Sequence, residues 1–228
     1  MLIVGEVISY WEMCQAEGAS LQRGMNYRLR GRSTVILMSL RKNAPYADRV
    51  EENGKVLIYE GHDVPRKINA SPKLVDQEMY DDVKKLTQNG LFFQAAKEFK
   101  EGNRTPEMIK VYEKIRDGIW SYDGVFKLTD AWTEESKGRK VFKFRLEITD
   151  QGERMETQTH VDHNRLIPKE VKIEVWKRDK GRCVNCGSAE NLHFDHIIPF
   201  SKGGSSLNSK NIQILCSKCN LAKHDKIE

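Results

Sequence analysis

Two Cys-x-x-Cys pairs, Cys183/Cys186 and Cys216/Cys219, enclose an adjacent Asp195–His196 and an Asn211, and Asn220 and His224 follow the second pair. Four thiolates at this spacing suit one tetrahedral Zn²⁺, which replaces a core too small to fold unaided. The alternative is four free structural thiols. The 29 residues between Cys186 and Cys216 leave room for a hairpin and a loop that carry other groups. Phosphodiester hydrolysis needs a base to activate water and a cation to meet charge developing on the phosphate. Neighbours on a strand point to opposite faces, so the Asp195 carboxylate does not orient the imidazole beside it. The economical assignment makes Asp195 a metal ligand and His196 the general base, its tautomer fixed by an outside group. Asn220 and His224, four apart, share a face if helical and complete a metal site with Asp195. One Asp, one Asn and waters suit Mg²⁺ or Mn²⁺, and His224 would tilt the choice toward Mn²⁺ or another transition ion. The competing reading of His224 is a solvated helix residue. His193, two before Asp195, reads as scaffold or phosphate contact rather than ligand. Lys202, Lys210, Lys218 and Lys223 read as phosphate contacts or as solvated surface.

The chain of 228 residues is long enough for one large domain or two small ones. Its net charge of +5 suits a polyanionic partner without demanding one. From Ile167 onward 11 Lys/Arg stand against 7 Asp/Glu, so +4 of the excess lies in the segment with the cysteines. The start of the chain lacks the pattern of a signal peptide, and no apolar stretch approaches the roughly 20 residues of a membrane span. The expectation is a cytosolic protein without a membrane partner, in which clustered cysteines bind metal and Cys14 is a lone core or surface thiol.

The elements that position these groups are partly legible. Thr34–Met38 and Val56–Tyr59 read as buried strands, and Val141–Glu147 alternates Phe142, Phe144 and Leu146 against Lys143, Arg145 and Glu147. Asp123–Gly124, between two apolar runs, reads as a hairpin turn. Leu91–Phe99 suits a helix stopped by Gly102, while Ile109–Ile115 fits helix or strand. Thr149 to His160 is polar and reads as a linker. Pro168 opens a helix over Lys169–Lys180, with Val171 and Val175 on one face and Gly181 as the stop.

The run Cys-x-x-Cys-Gly, Asp-His-Ile-Ile-Pro, Gly-Gly, Asn-Ile-Gln-Ile-Leu-Cys-x-x-Cys-Asn-x-x-Lys resembles the HNH nuclease family of ββα-metal fold over about residues 168 to 228. The resemblance implies that Asp195 holds the divalent ion, His196 activates water, and Asn211 supports the loop and the histidine. It also makes Asn220 the second ligand and places His224 at the final motif position.

Three pieces of the first 150 residues resemble the SRA (YDG) domain, which flips a modified cytosine out of DNA. These are Gly31-Arg-Ser33 before an apolar strand, Leu57-Ile-Tyr-Glu-Gly61, and Ile119-Trp-Ser-Tyr-Asp-Gly-Val-Phe-Lys-Leu128 followed by Ala131-Trp132. By that resemblance Ile109–Ile115 is a strand. Tyr46 and Tyr59 match the stacking positions, and Asp48 lies near the carboxylate that reads cytosine. Two departures stand out: Ala44-Pro-Tyr-Ala-Asp48 replaces the usual Gly-Gly-Tyr-Glu-Asp, and Tyr59-Glu-Gly61 replaces Tyr-Thr-Gly. A flipped base needs two stacking surfaces and polar groups on its Watson–Crick edge. Tyr122-Asp-Gly124 reads as structural, and His62–Asp63 as only a superficial echo of the catalytic pair.

The combined expectation is an α+β chain. An SRA/PUA-like twisted β-barrel with flanking helices (1–149) precedes a linker (150–167) and a ββα-metal HNH domain with a four-cysteine zinc site (168–228). The expected activity is a modification-dependent endonuclease acting on double-stranded DNA that carries 5-methyl- or 5-hydroxymethylcytosine. It would use Mg²⁺ or Mn²⁺ for cutting and Zn²⁺ for structure. One HNH site per chain cuts one strand, so a double-strand break predicts a homodimer. The rivals are an HNH nuclease whose first domain reads unmodified sequence or structure, and a non-catalytic zinc-containing DNA reader.

Overall fold

Apolar runs that lack alternation belong to strands covered on both faces, and β3 (Ser33–Met38) is the clearest case. Ile36 and Met38 enter a core with Phe92, Phe126 and Phe144, while Val35 and Leu37 enter another with Met13, Tyr112 and Trp120. The computed structural model describes every residue except 1, 3, 30, 32, 41–43, 45, 53–54, 66–70, 150–165, 203, 225 and 227–228. The expected linker therefore falls almost wholly outside the described residues.

An eight-stranded sheet occupies the first part of the chain. Its path runs β2 (Met25–Leu29), β3, β6 (Glu107–Arg116), β7 (Ile119–Ser136), β8 (Arg139–Ile148), β5 (Val56–Glu60) and β4 (Arg49–Glu51). Strand β1 (Val7–Ser9) pairs with the start of β7. Only β3 and β6 are parallel. Among the described residues the path has two ends, β2 and β4, so its hydrogen bonding does not close the expected barrel into a ring. Helix α2 (Gln88–Lys100), capped by the Thr87 side chain on the Gly90 amide, packs Phe92, Ala95 and Ala96 onto the larger core. Helix α1 (Tyr10–Glu17) starts with a capping box between Ser9 and Glu12 and lies over the second core.

The ambiguous Ile109–Ile115 is strand, within β6, as the resemblance implied, while two local expectations change. Asp123–Gly124 is not a turn: the chain reverses at Asp117–Gly118, and β7 runs on unbroken. Gly124 faces Val111 and Tyr122 faces Tyr112, so Asp123 is the extra residue of a β-bulge. Lys143, expected to point to solvent, is 1% exposed because Glu60 on the neighbouring strand takes its ammonium at 2.8 Å.

The C-terminal part holds α3 (Lys169–Arg178), the hairpin of β9 (Leu192–His196) and β10 (Ile212–Cys216), and α4 (Ser217–Lys223). Val171 and Val175 of α3 pack on Phe194, Ile212 and Ile214, a separate small core. Two further devices join it to the large sheet. The Gly5 amide donates to Tyr122 O at 2.8 Å, and Gly5 O accepts from the Phe194 amide at 3.0 Å. A Cβ at Gly5 would stand 2.8 Å from Phe194 O, and its φ is +88°, so this splice requires glycine. The second device is Lys172, 2% exposed, whose Nζ lies 2.9 Å from Glu113 and 2.7 Å from Asp123. Burial works against its charge, but those two carboxylates outweigh it and raise its pKa. The bulge therefore has a use: it turns Asp123 toward α3. No helix among the described residues is long and apolar enough to cross a membrane.

Candidate active site

Register fixes which side chains of the hairpin meet. Asp195 lies opposite Gln213 and His193 opposite Leu215, so these four share one face, while Phe194, Ile212 and Ile214 line the other. Asp195 Oδ2 sits 3.1 Å from Lys223 Nζ and 3.4 Å from Gln213 Nε2. Lys223 also donates to the His196 carbonyl at 2.7 Å. Only 2% exposed, it corrects the expectation of a solvated or phosphate-contacting lysine.

His196 ends β9. Its Nε2 lies 2.8 Å from Ser206 Oγ, and its ring tilts against Phe200. Ser206 is thus an outside group that can fix the tautomer: with Nε2–H donated to it, Nδ1 is the basic nitrogen. Asn211 clamps the intervening loop. Its Oδ1 accepts from the Ile198 amide at 2.9 Å, and its Nδ2 donates to Ile198 O and Ser205 O at 3.2 and 3.1 Å. The second glycine of Gly203–Gly204 is dictated by closeness, since a Cβ at Gly204 would fall 1.8 Å from Ile198 O. Nothing in the sequence marked Ser206 or Gln213 beyond their place in the motif. Their signal is register and loop closure.

Asn220 is half-buried on α4, three residues before Lys223 and so on the same helical face. His224 departs from the helical expectation. The helix ends at Lys223; the amide of the exposed cap residue His224 still donates to Asn220 O at 3.1 Å, but its φ 46° and ψ −134° turn its side chain from the direction a helical residue would take. His193 is scaffold: it is 3% exposed, its Nε2 lies 2.9 Å from Ser217 Oγ, and burial lowers its pKa.

The four cysteine sulfurs lie within 4.8 Å of one another, with Cys186 and Cys216 at 3.6 Å. A tetrahedron with Zn–S of about 2.3 Å has edges of about 3.8 Å, so the set fits Zn²⁺. Burial opposes ionisation of Cys183, but amides of Cys216, Cys186 and Asn185 outweigh it and bring the thiol down to about 6. Among the described residues no other three His, Cys, Asp or Glu side chains cluster for a metal. Asp195 with Asn220 offers one carboxylate and one amide, a donor set that fits a hard divalent ion completed by water and phosphate.

A second candidate site lies in the sheet domain. Tyr46, Ala47 and Asp48 line a cavity of about 280 Å³ with Ser39, Leu40, Ala44 and Lys137. Asp48 Oδ1 accepts from the Glu60 amide at 2.9 Å, and burial pushes its carboxyl up to about 7. Beneath it Glu60 holds the Ala47 amide at 3.1 Å, and Lys143 reaches Ala47 O at 3.2 Å. Tyr59 does not line this cavity; it is 2% exposed within the main core. Lys73 Nζ, paired with Asp63 at 2.7 Å, stands 3.7 Å over the Tyr46 ring. His62 and Asp63 are framework here. His62 Nε2 accepts from the Met25 amide at 2.7 Å, and Asp63 also takes Arg139 at 2.7 Å.

The comparisons follow the same division. Residues 2–151 match the family model of the SAD/SRA domain, and residues 183–226 that of the HNH endonuclease. No curated protein matches the chain. Among solved structures it is similar to the SRA domain of SUVH5 in complex with methylated CHH DNA, with 22% identity and a TM-score of 0.44. That match covers 64% of this chain and 88% of that one. It is also similar to the modification-dependent TagI restriction endonuclease, with 19% identity and a TM-score of 0.43. Here 98% of this chain and 77% of that one are covered. The SAD/SRA match spans well over half of the sequence, and the chain belongs to that domain family, with an HNH endonuclease segment following it.

Proposed function

We propose that this protein is a modification-dependent DNA endonuclease: residues 1–149 capture a modified cytosine, and residues 168–228, beyond a linker at 150–167, cut the backbone. The observation that carries the reading is the end of β9, where Asp195 and His196 are held apart on opposite faces by separate supports, Lys223 and Gln213 for one and Ser206 for the other. A pure binder has no need of that division. His196 Nδ1 takes a proton from the attacking water, and Asn211 keeps the loop that carries Ser206 in place. Asp195 and Asn220 would hold Mg²⁺ or Mn²⁺, which would supply charge neutralisation at the phosphate. His224, outside the helix, is given no place in that set. The cysteines hold Zn²⁺.

In the reader, Tyr46 supplies one stacking face and Asp48 the polar edge for a flipped 5-methyl- or 5-hydroxymethylcytosine. Tyr59 joins them only if the strand that carries it opens. That position in the core favours the rival in which the domain reads unmodified sequence. A double-strand break requires two chains, each cutting one strand and leaving a 5′-phosphate and a 3′-hydroxyl. We place the protein in the cytoplasm. The test of the cutting assignment is His196→Ala, which should bind modified DNA with unchanged affinity and show no Mg²⁺- or Mn²⁺-dependent cleavage. Retained cleavage would sink it.

A further inference from the structure

The least expected group in the nuclease site is Lys223. A buried ammonium is costly unless opposite charge and hydrogen bonds meet it, and both partners here belong to the last two residues of β9. Its Nζ lies 3.1 Å from Asp195 Oδ2 and donates to the His196 carbonyl at 2.7 Å, with a side chain 1% exposed. Gln213 reaches the same oxygen, Oδ2, at 3.4 Å. No hydrogen bond from the described residues falls on Oδ1.

We propose that Lys223 is a positioning residue for cleavage, holding Asp195 by Oδ2 and leaving Oδ1 as the oxygen available to a divalent ion. The inference rests on the reading of Asp195 as a ligand of the divalent ion. One side chain then sets both the ligand's orientation and the backbone of the general base, so their separation is fixed from α4. The ammonium also lowers the net negative charge offered to the ion. The site alone would hold a divalent cation weakly, and phosphate of bound DNA would supply further oxygens.

This gives two effects of opposite sign. Lys223→Met keeps the length of the side chain and removes its charge. Mn²⁺ binding to the DNA-free protein, followed by electron paramagnetic resonance, should tighten at least tenfold, because unit positive charge near a divalent ion is lost. Single-turnover cleavage at saturating Mn²⁺ should fall at least 30-fold, because the carboxylate is no longer held relative to His196. A scaffold role alone does not tighten Mn²⁺ while slowing cleavage. Unchanged or weaker Mn²⁺ binding overturns the proposal, as does cleavage within threefold of the parent. Should Lys223→Met lose its zinc, Lys223→Gln is read by the same two measurements, and loss of zinc in both overturns it. Asp195→Ala separates the two levels. Parental Mn²⁺ binding and cleavage in that variant would refute the ligand assignment itself, whereas their loss beside an unaltered Lys223→Met refutes only the role of the lysine.

Discussion

The candidate nuclease site and the proposed base pocket each rest on a buried lysine ion-paired with an acidic side chain, yet the two are assembled over different lengths of chain. Lys223 and Asp195 lie within one hairpin-helix unit, and every group around them falls between His193 and His224. Lys143 and Glu60 are 83 residues apart, and the pocket above them draws on Ala44, Tyr46, Ala47 and Asp48, the turn at Lys137, and supports from strands β5 and β8. The first arrangement, with zinc on its four cysteines as proposed, needs little else. The second depends on the whole sheet. Local assembly makes the cutting unit sensitive to the loss of one ligand, whereas the pocket should degrade by degrees.

The largest expected effect tests the clip. Structural zinc contributes about 10–16 kcal/mol to the folding of small metal domains, so Cys216→Ser should lose zinc and all cleavage. The sheet domain should still bind modified DNA, with zinc content read by elemental analysis and binding by gel shift. Cleavage with no bound zinc would break the comparison. Next comes the joint. Lys172→Met leaves Asp123 buried without its cation and Glu113 with only Lys169 at 3.8 Å, a change that costs about 3–5 kcal/mol and should lower the Tm markedly. Restoring stability with Glu113→Gln and Asp123→Asn in the same chain would confirm the electrostatic cause.

The pocket's response should be smaller. Tyr46→Ala removes stacking worth about 1–3 kcal/mol per base, which predicts roughly 5- to 150-fold weaker binding of modified DNA. The cleavage rate at saturating DNA should stay unchanged. Asp48 gives a pH-dependent effect, read as a slope rather than as a loss. Burial raises its carboxyl to about 7, above the unfolded value of about 3.9. The folded state thus holds the proton more tightly, and stability falls as pH rises from about 4 through about 7. Asp48→Asn should flatten that decline between pH 5 and 8 in thermal melts. An unchanged slope would place the titration elsewhere.

Sequence reached the two sites unequally for the same reason. The zinc ligands, Asp195, His196 and Asn211 stood at fixed spacings within 40 residues, so chemistry could be read from the order of letters. Lys223 was named for the wrong role and Ser206 was not named, because burial of a lysine and closure of a loop are consequences of tertiary packing. In the sheet, Phe142, Phe144 and Leu146 declared their face by alternation, but Lys143 broke it through a cross-strand partner that alternation cannot reveal. Asp123–Gly124 carried turn chemistry and became a bulge, since register with β6 outweighed local preference. His224 obeyed helical spacing on paper and lost it where α4 stops.

The central claim, that a modified base directs the cut, is tested most directly by one cleavage panel. Duplexes of a single sequence carrying cytosine, 5-methylcytosine or 5-hydroxymethylcytosine are digested with Mg²⁺ or Mn²⁺, and the ends are mapped. At least one modified duplex should be cleaved, leaving a 5′-phosphate and a 3′-hydroxyl, and the plain duplex should stay intact. Equal cleavage of all three would contradict the claim.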